Sequence, residues 1–260
     1  MKKLTALFLS AILALSFTAC GSSEPAATTP DAADKVVVIG VDDTFAPMGF
    51  RDDAGNLVGF DIDLATELLG RLGYEAKFQV IDWSMKETEL NNGNIDLIWN
   101  GYTITESRKE KVNFTQAYLD NRQIIVVMAD SDIETKADLA DKTVAVQKES
   151  SAYEAVMADP AAATLAGGEP IQFDTNTDAL MDLEAGRSDA AVLDEVLARY
   201  YIKLRGEEQY KVLEDNFGSE EYGIGVRKAD TEFLAEVDGE LTEMINDGTF
   251  AEIKGRWFAE

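Results

Sequence analysis

Short apolar runs alternate with helical patterns along most of this chain. The run VVVIGV (36–41) is rich in β-branched residues and predicts a buried strand. In the following FDIDLATELLGRLGY, one helical face carries Leu64, Leu68 and Leu72, and Gly73 stands where a helix C-terminal cap belongs. Further strands are predicted at 77–81, 95–99, 124–128, 143–147, 170–173, 189–193 and 222–226, with helices at 85–91, 151–159, 177–186 and 195–205. Strands that alternate with helices predict an α/β fold.

Two segments indicate that the chain forms a pair of lobes. The run IIVVM (124–128) follows FTQAYLDNRQ without a long intervening helix, so we expect one strand to carry the chain out of a first lobe. The segment EDNFGSEEYGIGVRK (214–228) is then expected to carry it back. The region 232–250 and GRWF (255–258) predict helices that pack on the first lobe.

The N-terminus has the pattern of a secretory signal peptide over residues 1–20. Lys2 and Lys3 precede an apolar run that is too short for a confident membrane-spanning helix, and small residues come before Cys20. The sequence FTAC resembles a bacterial lipobox, which implies lipidation of Cys20, although Phe17 replaces the usual leucine. The alternative is plain secretion with an incidental cysteine. Residues 21–34 are small, polar and proline-containing, which is typical of a flexible tether.

Composition excludes several classes of function. The 260-residue chain has a formal net charge of −26, which disfavours nucleic acid as a partner because phosphates would be repelled. We interpret this charge as a solubility feature. Histidine is absent and there is a single cysteine, so Ser–His and Cys–His nucleophiles and thiolate clusters are excluded. We therefore expect no metal, no cofactor and no enzymatic activity.

Five segments, in order, carry a family resemblance that covers the chain from about Lys35 to its end. They are GVDDTFAPMGFRDDAGNLVGFDIDLATEL, NNGNIDLIWNGYTITESRKEKVNFTQAY, TVAVQKESSAYEAV, AGRSDAAVLDEV and EEYGIGVRK. The chain resembles the bacterial extracellular solute-binding proteins, family 3, of polar amino-acid ABC transporters. The resemblance implies the two-lobed periplasmic binding protein type 2 fold, with a mixed sheet flanked by helices in each lobe and two hinge crossings. The expected lobes are 35–122 with 218–260, and 123–217.

The resemblance also implies a ligand and the residues that hold it. A free L-amino acid would bind in the cleft between the lobes. Since it presents a carboxylate and an ammonium, the binder needs an arginine fork and an anionic acceptor. Arg108 matches the family's arginine for the α-carboxylate, and Asp194 matches the aspartate for the α-ammonium. Asn100, Gly101 and Thr103 match positions that offer backbone or hydroxyl groups.

The second lobe would contribute hydroxyl groups from the start of a helix. Ser150 and Ser151 match the residues that donate to the ligand carboxylate. In this sequence Glu149 stands where the family usually has glycine. If that glycine serves a positive φ or a close approach of the ligand, Glu149 has to adapt.

Selectivity for the ligand side chain is expected from three residues of the first lobe. Phe45 and Trp83 match positions that sandwich the side chain, and Asp42 matches an acidic position at the end of the first strand. A cation between two aromatic faces gains about 0.5–2 kcal/mol. These residues favour a cationic or polar amino acid. The alternative is that Phe45 and Trp83 belong only to the core.

The local pattern around the two charged residues has simpler interpretations. Arg108 stands beside Lys109 and Lys111, which is typical of a solvated helix face. Thr103 and Glu106 have capping-box spacing. Asp194 follows a strand and has the position of a helix N-cap.

The partners implied are the amino acid, a membrane permease and, through Cys20, a lipid anchor. We expect a monomer on the outer face of the cell membrane, with a periplasmic location as the alternative. Two other functions stay open from the sequence, which are a dehydratase-like enzyme on the same fold and a ligand-sensing domain.

Overall fold

The computed structural model describes residues 35–258. The predicted signal peptide (1–20), the tether (21–34) and the lipidation of Cys20 lie outside the described residues. Within 35–258, none of the helices combines the length and the apolar character that crossing a membrane requires.

The described chain contains thirteen strands and eight α-helices. The strands are β1 Val36–Val41, β2 Thr44–Phe45, β3 Gly49–Arg51, β4 Leu57–Val58, β5 Glu75–Val80, β6 Leu97–Ile98, β7 Asn113–Phe114, β8 Leu119–Met128, β9 Val144–Gln147, β10 Ile171–Phe173, β11 Ala190–Asp194, β12 Tyr210–Tyr222 and β13 Gly225–Val226. The helices are α1 Phe60–Arg71, α2 Lys86–Asn91, α3 Glu106–Lys109, α4 Ser151–Ala158, α5 Asn176–Glu184, α6 Glu195–Arg205, α7 Thr231–Asp247 and α8 Thr249–Trp257. The α/β prediction is confirmed.

The first sheet has the strand order β5-β1-β6-β13-β7. Strand β1 runs parallel to β5 and β6, whereas β13 is antiparallel to β6 and β7. The predicted apolar face of α1 is buried, and Leu64 and Leu68 belong to the same hydrophobic cluster as Ile39 of β1. Gly73 follows the helix at φ 78°, and its N–H donates to the carbonyl of Gly70 at 3.1 Å, so the predicted cap is present.

The second sheet has the strand order β10-β9-β11-β8-β12. Strand β9 is parallel to β10 and β11, and β8 is antiparallel to β11 and β12. Both sheets are therefore mixed, as predicted. The long strands β8 and β12 make the two crossings, and their ladder runs from Leu119 opposite Tyr222 to Met128 opposite Tyr210.

Strand β12 is the main element that the sequence pattern did not predict. The predicted strand at 222–226 is instead the end of β12 followed by the separate β13. The register of β12 shifts between Val212 and Asn216 and again before Ser219, so its side chains do not follow a regular two-residue alternation. The proposed lobe boundaries, 122/123 and 217/218, fall inside β8 and β12 and stay predictions.

The C-terminal helices pack against α1, as predicted. The ring of Phe60 at the start of α1 lies 5.7 Å from the ring of Phe250 and 5.2 Å from that of Phe258, both in edge-on geometry. Arg71 at the end of α1 donates to Asp247 at 2.6 Å and to Thr249 at 2.7 Å. These contacts hold the last part of the chain on the first sheet.

The carboxyl ends of parallel strands in both sheets lead into the predicted binding residues. Asp42 directly follows β1, and Asn100 comes shortly after β6. Ser150 follows β9, and Asp194 ends β11. Ligands of open α/β sheets bind outside these strand ends, so the topology brings the predicted residues to one region.

Candidate ligand-binding site

All ten predicted site residues are buried, and they come from both sheets. They are Asp42, Phe45, Trp83, Asn100, Gly101, Thr103, Arg108, Ser150, Ser151 and Asp194. Because seven of them are polar or charged, each needs partners that replace water. The hydrogen bonds of these side chains therefore show how the site is built.

Arg108 is a buried residue and does not lie on a solvated helix face. Its side chain is 2% exposed, and its guanidinium lies 4.8 Å from the ring centre of Tyr102. Nη1 donates to the carbonyl of Thr103 at 3.0 Å, while Nε has no hydrogen-bond partner among residues 35–258 and lies 3.6 Å from Glu154 Oε1. The capping-box prediction at Thr103 is also wrong, since Thr105 caps α3 by accepting from the Arg108 N–H at 3.2 Å. Short-range charge patterning did not reveal this burial.

A second buried cation, Lys86, lies on the same side of the site. Its ammonium donates to the carbonyl of Glu149 at 2.9 Å and lies 5.3 Å from the ring centre of Trp83. Arg108 Nη2 lies 3.5 Å from the same carbonyl. Burial, and then the charge of Arg108, lower the pKa of Lys86 to about 8. Sequence reasoning missed Lys86 because a lysine at the start of a helix is normally exposed.

Glu149 adopts the backbone conformation that the family's glycine would provide. Its φ is 53°, in the left-handed region. A residue with a side chain pays about 1–2 kcal/mol there. In this conformation its carbonyl accepts from Lys86 of the first sheet's helices.

The two predicted serines have different roles. Ser150 caps α4, since its Oγ accepts from the N–H of Tyr153 at 3.1 Å and donates to the carbonyl of Gln147 at 2.7 Å. Its hydroxyl is thus used within its own loop. Ser151 Oγ instead lies 3.0 Å from Thr103 Oγ1, so these two hydroxyl groups meet across the two sheets.

Asp194 is buried at the end of β11 and makes no side-chain cap to α6. Its Oδ1 accepts from Tyr222 at 2.6 Å and from the side-chain amide of Asn121 at 2.7 Å. Burial, and then the charge of Glu220, raise the pKa of Asp194 to about 8. The N-cap interpretation is wrong for this side chain, which turns toward the neighbouring strands β8 and β12.

Asp42 bridges the two sheets. It accepts from the N–H of Thr44 at 2.9 Å and the hydroxyl of Thr44 at 2.7 Å, and also from Gln147 Nε2 at 2.9 Å. Gln147 is itself oriented by Asn176, whose amide donates to its Oε1 at 2.9 Å. Burial is the largest cause of the raised pKa of Asp42. Gln147 was present in the quoted motif, but its role required the second sheet to be placed.

The two predicted aromatic residues lie in different hydrophobic clusters. Phe45 is 5% exposed and belongs to the large cluster around β1 and α1. Trp83 is 7% exposed and packs edge-on against Tyr102, with 5.9 Å between ring centres. The sandwich around a ligand side chain stays a prediction.

Gly101 and Asn100 follow β6 and belong to the part of the site that the first sheet provides. Gly101 has φ 56°, and an added Cβ would lie 2.9 Å from Phe45 Cε1, so a side chain is excluded twice. Its N–H donates to Asp61 Oδ2 at 2.7 Å. Both polar atoms of the Asn100 side chain are buried and have no hydrogen-bond partner in the described part of the chain. Burial raises the pKa of Asp61 to about 7.

Comparison with known proteins agrees with this architecture. The profile of the bacterial extracellular solute-binding proteins, family 3, matches residues 37–260. The arginine-binding extracellular protein ArtP of Bacillus subtilis is 29% identical over 99% of this chain and 98% of its own length. The L-cystine-binding protein TcyA of the same organism is 28% identical over 100% of this chain and 98% of its own.

A solved structure gives the same result. It is an ABC uptake transporter substrate-binding protein from Streptococcus pneumoniae with bound histidine, 39% identical, with a TM-score of 0.85 over 88% of this chain and 95% of that one. The profile match alone covers most of the sequence. The chain belongs to the bacterial extracellular solute-binding proteins, family 3.

Proposed function

We propose that this protein captures a free L-amino acid between its two lobes and delivers it to the permease of an ABC importer. The lobes are 35–122 with 218–260, and 123–217, and they close on the ligand through β8 and β12. Three similar proteins are named for arginine, cystine and histidine, all of which carry an α-amino and an α-carboxyl group. As a member of a solute-binding family, the protein is not an enzyme.

The observation that carries this proposal is the opposite polarity of two buried ends of one hydrogen-bonded network. Arg108 donates to Thr103, whose hydroxyl donates to Glu220 at 3.0 Å. Glu220 and Asp194 both accept from Asn121. A buried guanidinium therefore lies at one end and a buried carboxylate at the other, which matches an α-carboxylate and an α-ammonium.

A cationic or polar side chain is the proposed preference. Asp42 is a buried carboxylate near the end of β1, and burial raises its pKa, so a nearby positive charge would compensate its negative charge. A ligand cation that reached Asp42 would supply that compensation. Phe45 and Trp83 would then contact the stem of the ligand side chain.

We also propose that Cys20 carries a lipid that holds a monomeric protein on the outer face of the membrane. The support is the FTAC sequence that follows an apolar run. Replacement of Cys20 by Ser should move the protein from the membrane fraction to the medium. If the Cys20→Ser variant stayed in the membrane fraction, the anchor would be wrong.

Thermal unfolding with each of the twenty amino acids tests ligand binding. The protein, from residue 35 onward, is first unfolded and refolded to remove any carried-over ligand. A ligand at 1,000 times its Kd should add about 4 kcal/mol to the free energy of unfolding. No shift with any amino acid would contradict the proposed function.

Arg108→Lys tests the carboxylate clamp because it keeps the charge but loses the planar fork. Loss of one charge-assisted hydrogen bond costs about 1.5–3 kcal/mol, so we expect the affinity to fall roughly 10- to 150-fold in titration calorimetry. Lys109→Arg is the matched control, since the Lys109 side chain is 51% exposed. Equal affinities for Arg108→Lys and the control would show that Arg108 does not hold the ligand.

A further inference from the structure

Three neighbouring strands of the second sheet bring four polar side chains side by side. In the ladder between β11 and β8, Asp194 is opposite Gln123. In the ladder between β8 and β12, Glu220 is opposite Asn121. Asn121 and Gln123 are two residues apart on β8, so their side chains lie on the same face. Two carboxylates thus flank two amides.

One oxygen of Glu220 collects an unusual number of donors. Its Oε1 accepts from Gln123 Nε2 at 2.6 Å and from Asn121 Nδ2 at 2.7 Å. It also accepts from the hydroxyl groups of Thr103 at 3.0 Å and Ser151 at 3.3 Å. The carboxylate of Glu220 is therefore held among residues of the ligand-binding site.

The two carboxylates share a neutral donor. Asn121 Nδ2 lies 2.7 Å from Asp194 Oδ1 and 2.7 Å from Glu220 Oε1. None of the ion pairs formed within residues 35–258 includes Asp194 or Glu220. Burial and the charge of Glu220 together raise the pKa of Asp194, so a cation or a proton beside this pair would be stabilised.

Two amide oxygens beside these carboxylates are acceptors that are not yet used. Asn121 Oδ1 and Gln123 Oε1 are both buried, and neither has a hydrogen-bond partner among the described residues. Asn121 is 6% exposed and Gln123 is 0% exposed. Two buried acceptors beside two carboxylates match a group that is positively charged and carries several N–H donors. A primary ammonium has these properties.

The charged groups around the two carboxylates do not supply this positive charge. The titratable groups around the pair include Tyr222 and Glu221 on β12, Asp120 and Arg122 on β8, Glu195 on α6, Glu154 on α4 and Arg108 on α3. Tyr222 stays neutral, because burial raises its pKa well above the usual value. Arg122 is paired with Glu195, and Arg108 donates to the carbonyl of Thr103.

We propose that Glu220 is a second carboxylate of the ammonium subsite, and that it shares one proton with Asp194 until a primary ammonium of the ligand binds. This inference rests on the proposed function. On binding, the carboxylic O–H bond breaks and the proton passes to water, while the ammonium keeps its own protons. Glu220 lines a cavity of about 880 Å³ and is half-buried, which gives the proton a route to solvent.

The substrate class follows from this arrangement. The ligand must carry a free primary α-ammonium, because an N-acylated or α-hydroxy analogue would leave the two carboxylates without a cation and the two amide oxygens without a donor. Binding must also weaken as the pH falls, since protons then compete with the ammonium for the pair.

Titration calorimetry of wild type and Glu220→Gln tests the proposal. The probe is the amino acid with the largest thermal shift in the panel of twenty, at pH 6.5 in two buffers with different heats of ionisation. Wild type should release close to one proton for each ligand bound. Glu220→Gln should release fewer protons, because burial alone then raises the pKa of Asp194, and it should bind at least tenfold more weakly. Glu221→Gln, the same charge change at the adjacent exposed residue, should behave as wild type.

Two results would overturn the proposal. In the first, Glu220→Gln binds as tightly as wild type and releases the same number of protons, so Glu220 only ties the strands together. In the second, which needs no ligand, the stability of Glu220→Gln depends on pH as steeply as that of wild type. The free energy of unfolding of ligand-free wild type should fall as the pH rises from 6 to 8, because the folded pair loses a proton that the unfolded chain has already lost.

The free energy of unfolding of Glu220→Gln should fall less steeply over the same pH range. If the free energy of unfolding of Glu220→Gln depended on pH as in wild type, the shared proton would be contradicted, even if no amino acid bound to wild type. A smaller slope without ligand binding would keep the pair and reject the proposed function, so the two failures are distinguishable.

Discussion

The site has two ends, and each holds two side chains of like charge. Arg108, Lys86 and Glu149 form the arginine end, and Asp194 and Glu220 form the carboxylate end. At the arginine end the cations converge on a backbone carbonyl and have carboxylates within reach, since Glu87 lies 3.4 Å from Lys86. At the carboxylate end, the two acids share only neutral donors.

This difference shows how the two ends must respond to a ligand. The arginine end carries its own counter-charges, so a ligand carboxylate would exchange with interactions that already exist. The carboxylate end has a charge imbalance that a proton or a cation must cancel. We therefore expect the ligand's ammonium to contribute more to affinity than its carboxylate.

The largest expected effect is that of Asp194→Asn, which keeps the shape of the side chain and removes its charge. A ligand ammonium left without this buried partner loses about 3–5 kcal/mol, or roughly 150- to 4,000-fold in Kd. The ligand-free protein should be at least as stable as wild type, because one of two adjacent carboxyl groups is gone. Calorimetry measures the first quantity and chemical denaturation the second.

Asp132→Asn is the control for this change, because the Asp132 side chain is 89% exposed. A loss of ligand-free stability in Asp194→Asn would contradict the comparison. It would mean that the carboxylate end, like the arginine end, is balanced without ligand.

The next effect concerns Lys86 and alkaline pH. Its folded pKa of about 8 is below the unfolded value, so the unfolded chain binds more protons between about pH 8 and 10.4, and this group makes stability rise with pH. Lys86→Met should remove this rise, which amounts to at most about 3 kcal/mol. Denaturation curves of both proteins at pH 7, 9 and 10 measure it.

Lys148→Met serves as the control for Lys86, since Lys148 is exposed in the neighbouring turn. If wild type and Lys86→Met keep a constant difference in stability across this range, then Lys86 titrates as an ordinary lysine. The conclusion that burial and the nearby charge of Arg108 lower the pKa of Lys86 would then be wrong.

The smallest effect is expected from Glu149→Gly. Glycine relieves the left-handed φ of 53°, and after the entropy cost of glycine the net gain is about 0.5–1 kcal/mol, or roughly 2–4 °C in Tm. Lys148→Gly, one residue earlier and without a positive φ, should destabilise by a similar amount. If both variants lost stability alike, the strain at Glu149 would not exist.

Much of the fold could be predicted from the sequence because its signals are local. The apolar face of α1, its glycine cap and the runs that form β1, β9 and β11 all depend on spacings of two to four residues. Strand β12 escaped prediction because its two register shifts interrupt the alternation. The segment LDNRQ of β8 did carry a signal, since Asn121 and Gln123 alternate with exposed residues, but alternating polar side chains are normally solvent-facing.

The candidate site divides in the same way. The family resemblance named Arg108 and Asp194, and the structure buries both. Local charge patterns suggested a solvated arginine and an aspartate cap, and neither is present. Glu220 and Lys86 were not predicted, because nothing within their own segments marks them as buried partners of the site.

By itself, the sequence determined most of the strands and helices, apart from β12, their order along the chain and the residues that stand at several strand ends. Only the tertiary structure decided that Glu220 would meet Asn121, 99 positions away, or that Lys86 would reach Glu149, 63 positions away. Secondary structure depends on periodicities within a few residues, so it is legible along the chain. A buried polar group takes its partner from whichever distant strand the completed sheet places beside it, and only the register of that sheet specifies the pair.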